Sequence, residues 1–283
     1  MAITGNTEMA ATKQELIAAL VQKELKASSI LISYVNDVSA FAVKGTKSIS
    51  FPKLGSLTAA NRASGVAGVP QTAAATVDKL DLNQTPYVSY VIDPNDEIQS
   101  TLNWEMEMAK LGASAHSRFV DEAIVTALKL HGIEVSASGN ITRDLILEMR
   151  EGLNKNFAPK QDRVLVVAAD QETEMLKIAE FTQAYQYGGT GNISSGEIGR
   201  VFGCPVIMCD ALADGEFYMF SKSGLNVGFQ RAPQMSSQSD NDYGVGAMKT
   251  AIEQLFGVKG SQLNGLSVGA NKSPWIFRYN DGV

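Results

Sequence analysis

The period of the apolar positions changes several times along the chain, and each change marks a predicted element. Near the N-terminus, Leu16, Leu20 and Leu25 recur among the good helix formers Lys13, Gln14, Glu15, Lys23 and Glu24, which predicts an arm ending in a helix. From Gly45 the pattern becomes extended. Ser48-Ile49-Ser50-Phe51 alternates with period two, and Pro52, Gly55, Gly65, Gly68 and Pro70 then punctuate a polar, alanine-rich stretch. A chain that leaves in this way and returns through Thr76 to Asn83 reads as a long two-stranded excursion. Tyr87-Val88-Ser89-Tyr90-Val91-Ile92, rich in aromatic and β-branched residues, predicts a further strand that stops at Pro94.

The cluster Asp93-Pro94-Asn95-Asp96 can cap a helix start, and the longest periodic segment of the chain follows it. Ile98, Leu102, Met106, Ala109, Ala113, Val120, Ile124 and Ala127 recur at helical spacing on one face. Running from Asp96 to His131 and ending at Gly132, this helix would be roughly 54 Å long at about 1.5 Å per residue. That length suits a rod spanning a flat subunit better than a helix of a globular enzyme.

Thr142-Arg143-Asp144 opens a second helix, striped by Leu145, Met149, Leu153 and Phe157 and closed by Pro159. The continuous apolar run Arg163 to Ala169 predicts a strand covered on both faces, and Asp170 is expected to cap a helix through Met175, Leu176 and Ala179. A glycine-rich loop from Phe181 to Gly203 precedes a buried run, Pro205 to Met208, and a strand candidate, Phe217 to Phe220. Tyr243 to Gly257 fits strand or helix equally. Trp275, Phe277 and Tyr279 alternate as a last strand within a Gly-, Asn- and Ser-rich tail from Ser261. Helices and strands mix without a strict βαβ rhythm, so the class is α+β.

Composition narrows the function classes. The chain has 283 residues, 45% hydrophobic and 19% charged, with a formal net charge of -6, so it carries no global electrostatic footprint for nucleic acid. No apolar run approaches the roughly 20 residues of a membrane span, and Met1 to Thr12 lacks the basic start and apolar stretch of a signal peptide. A soluble, cytoplasmic protein is expected. Cys204 and Cys209 are the only cysteines. On one strand their odd separation would place them on opposite faces, and two thiols do not complete a zinc set.

Candidate chemistry is sparse. His116 and His131 are the only histidines, and fifteen residues of helix hold them roughly 22 Å apart, which predicts packed or helix-terminal roles and supports no catalytic triad. The run Gly188-Gly189-Thr190-Gly191-Asn192-Ile193-Ser194-Ser195-Gly196 lacks the lysine and spacing of a phosphate loop and reads as surface loop. Glu105 with Glu107 and Asp121 with Glu122 read as solvated helix faces, while Asp240 with Asp242 sits in a loop where a cation is somewhat easier to place. Lys44, Lys47 and Lys53 with Arg62 make the excursion basic within an acidic chain. With Phe51 as the one aromatic nearby, contact with an acidic neighbouring subunit explains this charge better than single-stranded nucleic acid does. No catalytic residue, cofactor or metal site is expected.

In this order the segments resemble the HK97-like coat fold of tailed phages, the fold also used by encapsulins. The similar stretches are Gly45-Thr46-Lys47-Ser48-Ile49-Ser50-Phe51-Pro52-Lys53-Leu54-Gly55, Val164-Leu165-Val166-Val167-Ala168-Ala169-Asp170-Gln171, and Gly196-Glu197-Ile198-Gly199-Arg200-Val201-Phe202-Gly203-Cys204-Pro205-Val206. The resemblance runs from about Leu16 to Gly257, and the tail from Ser261 has no counterpart in it. It implies an N-terminal arm over 1–44, an extended β-loop over 45–84, a spine helix with a peripheral domain over 85–138, an axial domain over 139–236, and a return to the peripheral domain over 237–283.

The function it implies is that of a major capsid protein, non-enzymatic, forming pentamers and hexamers of an icosahedral shell in the virion. Its partners would be further copies of itself, scaffolding, portal and decoration proteins, and packaged double-stranded DNA held by weak, non-specific contact. Lys47, Phe51, Lys53, Arg62 and Arg200 are the candidate inter-subunit contacts. A relative of this fold joins a loop lysine to a neighbour's asparagine, but Lys44, Lys47 and Lys53 do not align with that motif. The competing expectations are an encapsulin-like nanocompartment shell and, from another class, a soluble α+β enzyme with an unrecognised site.

Overall fold

The computed structural model describes residues 29–54, 57–62, 64–65, 67–73, 75–93, 104–135, 140–178, 199–243, 246–261 and 272–279. In chain order the strands are β1 (Asn36–Asp37), β2 (Ser48–Leu54), β3 (Ala75–Asp81), β4 (Tyr87–Ile92), β5 (Ile133–Glu134), β6 (Arg163–Val167), β7 (Arg200–Val201), β8 (Cys204–Met208), β9 (Phe217–Ser221), β10 (Leu225–Ser239), β11 (Met248–Gly260) and β12 (Ile276–Tyr279). Among the described residues the α-helices are α1 (Trp104–His131), α2 (Arg143–Lys155) and α3 (Ala169–Lys177). The expected arm helix, the helix cap at 94–96, most of the glycine-rich loop, and 262–271 and 280–283 of the tail lie outside the described residues.

The chain divides into two units. The first comprises Met1–Lys47, Leu82–Thr126 and Val227–Val258. Its sheet has the order β1-β10-β11-β4, so the ambiguous segment 243–257 resolves as strand. Thr250, Ile252, Gln254 and Phe256 alternate inward along β11, the period-two signature of a sheet with one covered face. Small residues on α1 allow close approach: Ala109 and Ala113 pack on Ile252, with Tyr90 and Met235 against them. Phe256 is held between Phe119, edge-on at 6.2 Å, and Phe229 at 5.6 Å.

Asp121 and His116 are among the buried polar residues of α1. Asp121, expected on a solvated face, is buried. Its carboxylate accepts from Ser29 Oγ at 2.7 Å and from the backbone N–H groups of Ile30 and Leu31, each at 3.2 Å, fixing the start of the described chain to the helix. Burial raises its proton affinity more than these donors lower it. His116 is fully buried, and loss of water lowers its proton affinity.

The second unit comprises Ser48–Asp81, Ala127–Asn226 and Lys259–Val283. Its larger sheet has the order β5-β12-β9-β6-β8-β7. Every residue of β6 is buried, as its unbroken apolar run requires, and β6 pairs parallel with β8 and antiparallel with β9. Leu145, Ile146, Met149 and Leu153 of α2 pack with Leu165, Val167, Met175, Phe217, Met219, Phe277 and Tyr279 into one core. Phe217 stacks on Tyr279 at 4.6 Å. Both cysteines are buried, and no disulfide joins them.

Three local expectations are corrected, and one strand is added. Asp170 does not cap α3; Ala168 holds the N-cap position, and the Asp170 carboxylate accepts from the Gly215 N–H and Gln171 Nε2, each at 2.8 Å. Phe157 does not continue the α2 stripe. It follows the helix end with φ 54° and points outward, while Ala158 N–H closes the turn on Leu153 O. The run 205–208 is half-buried to exposed, because β8 lies next to the two-residue edge strand β7. The fifteen-residue β10, unexpected from the sequence, continues through Pro233.

Gly152 shows how tightly α2 and the last strand fit. A Cβ there would lie 2.4 Å from Phe277 Cζ and 2.5 Å from Cε1, atoms of a rigid ring. Gly152→Ala adds helix propensity of about 1 kcal/mol but forces this overlap, which costs about 1–3 kcal/mol. The expected result is a lower urea midpoint for Gly152→Ala, whereas exposed Glu148→Ala leaves the midpoint near the wild-type value.

Candidate assembly surfaces

Strands β2 and β3 form a two-stranded sheet of their own, seven residues each, in antiparallel register from Ser48↔Asp81 to Leu54↔Ala75. Alternation gives this ribbon two unlike faces. Ile49, Leu80 and Asp78 are buried and Phe51 and Lys53 half-buried on one face, while Ser50, Pro52, Val77, Lys79 and Asp81 are exposed on the other.

Asp78 organises the inner face. Its Oδ2 lies 3.2 Å from Lys53 Nζ and its Oδ1 2.6 Å from Lys259 Nζ, and Lys259 also donates to the Lys79 carbonyl at 2.7 Å. Burial pushes the Asp78 carboxyl upward, but the hydrogen bonds and charges of Lys259 and Lys53 outweigh it and hold the group below its ordinary value. Lys53 is therefore engaged within its own subunit.

Beyond Leu54 the ladder ends. The described residues from 57 to 72 are exposed, with Leu57 at 63% and Val69 at 87%. One side chain spans the gap between the two legs: Gln71 Oε1 accepts from the Thr58 N–H at 2.9 Å, and Gln71 Nε2 donates to the Thr58 carbonyl at 2.8 Å. The amide thus stands in for a strand neighbour.

Of the five sequence-predicted contact residues, Phe51 and Lys53 share the ribbon's inner face. Lys47 is exposed just before the ribbon, and its carbonyl accepts from the Leu82 N–H at 3.1 Å. Arg62 is exposed in the distal segment, and Arg200 is exposed on β7, at the far edge of the six-stranded sheet. Asp78 and Lys259 were not identified from the sequence, because one reads as an ordinary strand acid and the other lies 181 residues away. Among the described residues no group of His, Cys, Asp and Glu side chains is arranged to hold a metal ion, and no helix is long and apolar enough to cross a membrane. At Asp240 and Asp242, the expected easier place for a cation, the Asp242 N–H donates to the Asp240 carboxylate at 3.2 Å.

A family model described as phage capsid protein matches residues 18–252. Comparison with curated proteins finds no match. Among solved structures, one from Mycobacterium phage Che8 is 20% identical, with 89% of this chain and 91% of that chain covered at a TM-score of 0.74. The mature capsid of bacteriophage PhiM1 is 14% identical, covering 89% and 86% at 0.67. A virus-like particle from Pyrococcus furiosus is 9% identical, covering 95% and 99% at 0.61.

Because the folded-state pKa of Asp78 is depressed, its ionised form stabilises the ribbon above the unfolded value near 3.8, and this contribution is lost as pH falls through the lower folded value. Asp78→Asn should therefore lower stability by about 1–3 kcal/mol at pH 7, with two lysines left facing a neutral group. Urea unfolding at pH 7 and near pH 3 checks this: the gap between wild type and variant should narrow at the lower pH.

Proposed function

The chain belongs to the phage capsid protein family, and from that premise we propose that it is the major capsid protein of a tailed phage. Its fold is the HK97-like coat fold. In this proposal the subunit assembles into pentamers and hexamers of an icosahedral shell around double-stranded DNA and is a component of the virion, assembled in the host cytoplasm. Residues 1–44 act as the arm, 45–84 as the extended loop, 85–138 as spine and peripheral domain, 139–236 as the axial domain and 237–283 as the return.

The observation that carries the reading is the ribbon. Exposed apolar side chains at Val77 on β3 and at Leu57 and Val69 in the segment beyond the ladder leave surface that further copies of the subunit can cover. The basic residues Lys47 and Arg62 stand exposed on or beside this segment, while the whole chain has a net charge of -6, so acidic surface on a neighbouring copy is a natural counterpart. Arg200, exposed on a sheet edge, is proposed as a contact in the rings. Ordering such thin segments costs conformational entropy that assembly offsets. Scaffolding, portal and decoration proteins are the further proposed partners.

A second reading, an encapsulin-like nanocompartment, is favoured by the likeness to the virus-like particle from Pyrococcus furiosus, which covers 95% of this chain. Negative-stain microscopy of the purified protein tests both. Closed shells are expected, and a persistent monomer would contradict either reading. Particles from the natural source that contain double-stranded DNA support the phage reading, whereas particles filled with a host enzyme would select the other. The acidic balance further predicts that empty shells bind DNA negligibly at physiological salt; steep salt-dependent binding would count against weak, non-specific contact.

A further inference from the structure

Helix α2 closes on itself at Asn156. The Phe157 N–H donates to Asn154 O at 3.1 Å and the Ala158 N–H to Leu153 O at 2.9 Å, the paired bonds of a Schellman turn, with Phe157 at its left-handed position, φ 54°. Glycine ordinarily fills that place, because a Cβ there crowds the backbone. Phe157 bears that cost with no burial inside the chain: it is 85% exposed, the most exposed aromatic among the described residues. The turn that carries it is nonetheless held firmly. Asn156 Nδ2 donates to Pro274 O and Trp275 Nε1 to Asn156 O, each at 2.8 Å, and Leu153 and Ala158 are buried. A ring presented on so fixed a base loses little freedom on binding, which suits an aromatic anchor for another surface.

The same unit offers a receptor of matching kind. A cleft of about 350 Å³ opens between α2 and the β5 edge of the six-stranded sheet, floored by Ile133, Val135, Gly152 and Phe277. Small-ligand sites run from roughly 300 to 1,000 Å³, so this one has room for a single aromatic side chain. Phe157 does not line the cleft of its own chain. On the rim, Glu134 pairs with Arg278 and Glu151 with Lys155, each at 2.8 Å, which leaves Glu148 exposed and in no ion pair among the described residues. The cleft therefore suits an apolar group with one positive charge beside it. Lys160, three residues after Phe157, is exposed and likewise in no ion pair among the described residues, and Asp162 stands two residues farther from the ring.

We propose that Phe157 of one copy inserts into this cleft on a second copy, with Lys160 set against Glu148. This deepens the shell reading and rests on it. It names an anchor and its receptor, a contact made by neither strand of the ribbon. Burial of the ring supplies the affinity, and the Lys160 charge beside Glu148 fixes the register.

Phe157→Gly separates a role in assembly from a role in folding. Glycine relieves the left-handed position, so the urea midpoint of the dispersed variant is expected at or above the wild-type value. Its closed-shell yield at a fixed subunit concentration is expected to fall about tenfold or more. A lowered midpoint would place the work of the ring inside its own chain, and wild-type shell yield would show that assembly does not use it. Either result overturns the proposal and leaves the shell reading intact, whereas absence of shells from wild type overturns both. A second experiment does not depend on that variant. Copies with Phe157→Cys are co-assembled with differently tagged copies that keep Phe157 and carry Glu134→Cys, Glu148→Cys or Glu151→Cys, and the shells are treated with a short bismaleimide. Both native cysteines are buried and do not compete. A covalent dimer carrying both tags is expected from at least one rim position, in higher yield than from Thr173→Cys, an exposed position on α3. Rim yields no higher than that from Thr173→Cys would overturn the proposal.

Discussion

Two strands cannot bury both of their faces, and the ribbon from Ser48 to Asp81 is built under that constraint. Near its base the inner face is finished within the subunit, by Ile49 and Leu80 and by Asp78 between Lys53 and Lys259. The outer face and the distal legs are not, and among the described residues the Gln71 amide on Thr58 ties those legs together. An isolated two-stranded sheet of this kind is marginal in water unless something else covers it. In the proposed shell, a neighbouring copy would complete this least self-sufficient element of the subunit.

The same economy governs the elements that are self-sufficient. Helix α1 approaches β11 closely because Ala109, Gly112 and Ala113 present almost no side chain there; a Cβ on Gly112 would sit 2.6 Å from Ile252 Cδ1. In the second unit, Gly152 opens a notch for the Phe277 ring, and β6 is buried from end to end. These interfaces are set by shape, at the density of a close-packed interior. In the proposed shell, contacts with other copies would rely instead on exposed apolar side chains and charge.

The local elements were legible in the sequence wherever a period declares itself over short range. The alternation at Ser48–Phe51, the stripe Leu145, Met149, Leu153 and the apolar run of β6 each state their own burial. Long-range partners carry no such mark. Asp121 looks like any acid next to Glu122 until Ser29 is brought to it from 92 residues away, and Lys53 looks free until Asp78, which it shares with Lys259, is placed against it. β10 was hidden for a related reason, since Gly228 and Pro233 are ordinary strand breakers. Among the described residues β1 spans only two residues beside β10, so most of that side of β10 has no sheet neighbour there to need the proline's missing N–H. Of the candidate contacts, the charge asymmetry around the excursion was visible from composition, while the division between engaged Lys53 and exposed Lys47 and Arg62 needed the fold.

The central claim is that the distal ribbon is completed by other copies of the chain. Amide hydrogen exchange over residues 57–62 and 67–73, measured on dispersed subunits and on assembled particles, tests it most directly. The account predicts near-intrinsic exchange in the subunit and slowing of at least a hundredfold in the particle, with β6 protected in both states. Equal protection of the ribbon in subunit and particle would contradict it.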